Sequence, residues 1–113
     1  PRSTLFPYTT LFRSVLLVNL LHLIPEAGAA AVLAGIAGVL APKGRALVYG
    51  PFLRDGEPTS PGDAAFDASL RAQDPAIGYK DQAWVTAQLV ALGCGVAWHE
   101  MPANNLAAII FKI

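Results

Sequence analysis

Two polar side chains interrupt an apolar run early in the 113-residue sequence, Asn19 and His22, spaced Asn-Leu-Leu-His. An amide both donates and accepts hydrogen bonds, and imidazole titrates near neutral pH, so the pair suits a ligand-facing strand end. Equally, both side chains can satisfy backbone groups at a buried strand terminus. Tyr49-Gly-Pro-Phe52 repeats the choice at the end of a second apolar run. Its glycine permits close backbone approach, and its aromatics either wall a pocket or join the core. Asp67 and Arg71 stand four apart, which makes either an exposed helical ion pair worth ~0.3 kcal/mol or a cation facing a substrate. Met101-Pro-Ala-Asn104-Asn105-Leu106 reads as a turn, since asparagine tolerates left-handed backbone and bonds its own chain. Cys94, His99 and Glu100 lack zinc-ligand spacing, and Cys94 followed by Gly95 reads as a strand start rather than a nucleophile. The sequence holds no phosphate-cradling glycine loop, nucleophile elbow or HExxH pair.

The elements that position these residues follow from periodicity. Residues 15–24, rich in Val and Leu without alternation, read as a strand buried on both faces. Residues 26–40 read as a helix with Val32, Leu33, Ile36, Val39 and Leu40 on one stripe, stopped by Pro42-Lys43-Gly44. A short strand at 46–49 precedes a loop over 53–62. Asp63 reads as the N-cap of a helix to Ala72, and Asp81 as the cap of a helix to Leu92 with Gly93 past its end. Residues 95–101 and 106–113 read as two strands close enough to pair antiparallel. The sum is a parallel βαβ unit followed by a reversed strand, an α/β sandwich.

Composition narrows the function. Eight basic and eight acidic residues give zero formal charge, and only 14% of residues are charged. With no basic cluster, neither nucleic acid nor anionic membrane is an expected partner. The run at 15–24 is too short for a bilayer span of about 20 residues, and Asn19 and His22 spoil it as a signal-peptide core, so a cytoplasmic location is expected. Residues 1–14 contain no Ala, Gly or Val and echo Thr4-Leu5-Phe6 in Thr10-Leu11-Phe12. They resemble a translated sequencing-adapter segment, which sets them apart from a domain over 15–113.

Asn19-x-x-His22, Tyr49-Gly-Pro-Phe52, the 65–75 stretch from Ala65 through Asp67, Arg71 and Asp74-Pro75, and Met101-Pro-Ala-Asn-Asn-Leu106 occur in a characteristic order and spacing. Together they make residues 15–113 resemble the C-terminal half of an uncharacterised class I S-adenosylmethionine-dependent methyltransferase-like family. The resemblance implies a partial Rossmann-like sheet, strands four to seven with the last antiparallel, and flanking helices. It implies direct methyl transfer from S-adenosylmethionine to a small-molecule acceptor. Asn19 and His22 would lie at the cofactor's methionine end, with His22 as base. Tyr49, Phe52, Arg71, Asn104 and Asn105 would line the acceptor side. The family's glycine-rich cofactor loop and ribose-holding acid have no counterpart here, so the chain is expected to be a truncated, inactive module. A second expectation is a non-enzymatic α/β module that self-associates, or binds a partner, through the exposed edge of its first strand.

Overall fold

The computed structural model describes residues 11–113, so most of the adapter-like segment lies outside it, while Phe12–Ser14 of that segment fall within the first strand. Four strands, β1 (Phe12–Val18), β2 (Leu40–Gly50), β3 (Cys94–Glu100) and β4 (Leu106–Lys112), form one sheet in the order β1-β2-β4-β3. The β1 and β2 strands are parallel, whereas β4 runs antiparallel to both β2 and β3. The connections carry three helices: α1 (Glu26–Val39), α2 (Pro61–Gln73) and α3 (Gln82–Ala91).

Burial follows the pleat. Ala46 and Val48 of β2, Ala108 and Ile110 of β4, and Cys94 of β3 share the core with Leu33 and Ile36 of α1 and Val85 and Leu89 of α3. On the opposite face the register aligns Leu16 with Leu47 and Leu47 with Ile109, and these are exposed or half-buried. Leu16 is 69% and Val18 50% exposed. The expectation of a first strand buried on both faces is therefore corrected. Val15 and Leu17 pack on the core, while the alternate residues, which a pleated strand must send the other way, do not.

Other boundaries shift for local reasons. The first strand stops at Val18 because Asn19 takes φ 55°, and residues 21–23 then form a short 3-10 turn. Proline-lysine-glycine at 42–44 does not end the helix, which stops at Val39; these residues lie within β2 beside an irregularity where Phe12 pairs Leu40 and Ser14 pairs Arg45. A missing N–H is tolerated where the ladder is already broken. Gly44 is required there, since a Cβ would stand 2.7 Å from the Phe12 carbonyl oxygen. The α2 cap is Ser60, not Asp63: its Oγ accepts from the Asp63 N–H at 3.0 Å and donates to the Asp63 carboxylate at 2.8 Å. The N-cap hydroxyl thus satisfies one of the helix's orphan N–H groups, while the N3 carboxylate holds that hydroxyl in place. Asp81 caps α3 as expected, accepting from the Ala83 N–H at 2.8 Å. No helix among the described residues is long and apolar enough to cross a membrane.

Candidate functional site

Parallel strands β1 and β2 both deliver their carboxyl ends to one edge of the sheet, where ligands bind in open α/β folds. Asn19 terminates β1 there in the left-handed region that asparagine tolerates. Its N–H donates to the Tyr49 carbonyl at 2.9 Å, and its Oδ1 lies 3.5 Å from where a Gly50 Cβ would stand. Tyr49 and Asn105 meet at the same edge, Asn105 Nδ2 donating to the tyrosine hydroxyl at 3.0 Å. Asn104, also at positive φ, offers its carbonyl to Arg54 Nη2 at 3.3 Å. Asn19, Tyr49, Asn104 and Asn105 thus gather as a polar rim.

His22, three residues past Asn19, is 6% exposed. Phe66 of α2 and Tyr79 meet its ring edge-on at centroid distances of 5.8 and 6.0 Å. Burial, and then the nearby Lys80 charge, hold the imidazole below its ordinary pKa, so it is neutral at physiological pH. Phe52 is placed differently from the other aromatic candidate: it is 3% exposed and packs edge-on against Trp98 at 5.2 Å, inside the core. Arg71 makes the helical ion pair with Asp67 at 3.1 Å and also donates from Nη2 to the Tyr79 carbonyl at 3.1 Å.

Tyr79 and Lys80 organise this region, and neither stood out in the sequence. The Tyr79 hydroxyl donates to Asp63 at 2.8 Å, and its N–H donates to Asp67 at 2.8 Å. Burial, and then the hydrogen bond to Asp63, push the phenol well above its usual range. Burial alone would raise the Asp63 carboxyl, but the bonds from Tyr79, Ser60 and Thr59 outweigh it and hold the group below the usual carboxylate range. The Lys80 ammonium is 7% exposed and donates to the Ile24 and Gly78 carbonyls at 2.7 Å each. Burial, then Arg71, lower its pKa. Only the glycine before them, Gly78 at φ 137°, was a local signal that the chain turns sharply here. Among the described residues no group of three His, Cys, Asp or Glu can hold a metal.

A family model described as "Protein of unknown function (DUF938)" matches residues 6–112. The fold is similar to that of an O-methyltransferase family protein from Burkholderia thailandensis, at 18% identity and TM-score 0.79, over 93% of this chain and 31% of that one. It is similar to a candidate O-methyltransferase from Nostoc punctiforme PCC 73102, at 24% identity and TM-score 0.79, over 93% and 33%. It is also similar to CalO1, a methyltransferase in calicheamicin biosynthesis in its SAH-bound form, at 15% identity and TM-score 0.73, over 89% and 30%. The chain spans about a third of the length of these structures.

Proposed function

The chain belongs to this DUF938 family and has a methyltransferase-like fold, and from that premise we propose that it serves as the C-terminal part of an S-adenosylmethionine-dependent methyltransferase acting on a small molecule. The observation that carries the proposal is the meeting of Asn19, Tyr49 and Asn105 at the carboxyl edge of a sheet ordered β1-β2-β4-β3, with His22 three residues beyond Asn19.

The donor set fits one end of the cofactor. Asn19 brings an amide that can both donate and accept, its Oδ1 packed beside Gly50 at the strand end. When bound, the cofactor supplies a sulfonium methyl group as electrophile. The chain's own work is then alignment, for which Asn19 holds the amino-acid end and the Tyr49–Asn105 pair borders the acceptor. A neutral His22 can take the acceptor's proton at a ring nitrogen. Phe66, itself 45% exposed, covers that ring, so a shift of α2 governs access to it. The resemblance assigns the glycine-rich turn and the ribose-holding acid to strands without counterpart here. By extension, these 113 residues alone bind the cofactor poorly and do not turn over.

Calorimetry and amide chemical-shift mapping with S-adenosylmethionine test both parts. The expected result is no micromolar heat, with weak shifts confined to Asn19, Gly50 and Asn104–Asn105. Micromolar affinity overturns the inactivity, and shifts that avoid this edge overturn the site.

A second reading rests on β1, which among the described residues stands at the end of the sheet, with Phe12, Leu16 and Val18 exposed. A non-enzymatic module would use this strand to add a partner or a second copy. A monodisperse monomer at high concentration argues against it.

A further inference from the structure

Beyond the carboxyl edge lies a separate pocket of about 430 Å³, between the start of α1, the end of α2 and the start of α3. Its volume falls within the range of small-molecule sites. Leu53, Pro75, Ile77 and Trp84 supply apolar walls, and Arg71 supplies a cation.

Arg71 is held ready rather than free to rotate. Its Nε bonds Asp67 and its Nη2 bonds the Tyr79 carbonyl, which engages two of the five N–H groups of the fork. The guanidinium lies directly on Gly78, where a Cβ would come within 2.7 Å of Cζ. Even so, the side chain remains 45% exposed where it lines the pocket. A fork fixed in this way loses little entropy on binding a planar oxyanion. The carboxylates nearby are already engaged. Asp67 accepts from Arg71 and Tyr79, and Asp81 accepts from the Gly56 and Ala83 N–H groups at 2.6 and 2.8 Å. Glu26 stands exposed in the lining, where it repels a dianion more than a monoanion.

We propose that this pocket binds a small monocarboxylate with a flat apolar body, its carboxylate on Arg71 and its body against Trp84. The site requires neither the cofactor nor the methyl-transfer reading. Its wall at Gly78–Lys80 also carries the Gly78 N–H that donates to the His22 carbonyl at 3.1 Å, so occupancy buttresses the turn beneath His22.

The test uses the 113-residue chain labelled with nitrogen-15 and titrated with phenylacetate, phenylacetamide and inorganic phosphate. Phenylacetate should produce saturable shifts at the Arg71 Nε–H and the Trp84 indole N–H. Phenylacetamide and phosphate should bind at least about tenfold more weakly. Arg71→Gln and Ala76→Glu should each weaken phenylacetate about tenfold or more. Ala76 is exposed in the pocket lining, so its replacement tests the charge without touching the Arg71 contacts. Absence of saturable shifts up to about 10 mM, the weak end of small-ligand binding, overturns the proposal. Equal binding of the amide or of phosphate overturns the ligand class. Unchanged binding by Ala76→Glu overturns the location, even if Arg71→Gln fails to fold.

Discussion

Replacing Tyr79 with Phe isolates the bond that fastens α2 over His22. The ring and its edge contacts to His22 and Phe66 stay, while the hydroxyl bond to Asp63 at 2.8 Å is lost. A hydrogen bond to a charged group contributes about 1.5–3 kcal/mol when buried. Asp63 is only part-buried and keeps its Ser60 partner at 2.8 Å, so the expected cost lies at the low end, about 1.5 kcal/mol. The loss should be local, because Leu70 is the one buried side chain of α2. About 1.5 kcal/mol corresponds to a roughly tenfold larger opening constant. Native-state hydrogen exchange on Tyr79→Phe should therefore show α2 amides exchanging about tenfold faster, with β2 and β4 amides unchanged. The variant should also shed part of its acid sensitivity. Asp63 is held below its ordinary pKa, so its stabilising contribution is present above that ordinary value and lost as pH falls through the folded one. Unchanged α2 exchange, or equal acceleration throughout the sheet, would refute the idea that Tyr79 fastens α2 as a separable flap.

Four further outcomes follow from the same geometry. The folded chain resists protonating His22, so the unfolded chain takes the proton first. Stability should fall as pH drops below the ordinary histidine value of about 6.5, and urea midpoints at neutral and mildly acid pH should converge in His22→Gln. Gly78→Ala should destabilise by about 1–3 kcal/mol, because its φ of 137° strains any side chain and Arg71 must leave its seat. Gly35→Ala should have the opposite sign, a gain of about 0.5–1 kcal/mol, since α1 offers nothing within 4 Å of the new methyl. Leu33→Ala, at 0% exposure in the core, should cost about 2–5 kcal/mol by urea denaturation.

Local patterning carried much of the fold. The 3.6-residue stripe predicted α1 to within a residue at each end. Asp81 announced α3, and Pro102-Ala-Asn-Asn105 announced the reversal between β3 and β4, because each signal acts on neighbouring backbone. Burial on a given face is not local. Nothing in residues 15–18 distinguishes a strand with two covered faces from one with Leu16 and Val18 exposed. The site divided along the same line. Asn19 and His22 were legible as polar breaks in an apolar run. Tyr79, Lys80 and Asp63 were not, since their bonds join residues 16 and 56 positions apart and leave no spacing to read. Phe52 shows the limit from the other side: a strand-end aromatic looks alike in sequence whether it meets Trp98 in the core or borders a ligand.

The order β1-β2-β4-β3 has a consequence for how the chain is made. The described strand latest in sequence, β4, occupies an interior position, and β3 has no ladder partner besides it among the described residues. A nonsense codon before Leu106 would therefore strand two segments instead of one. During translation the sheet could not close until residues 106–112 had emerged from the ribosome.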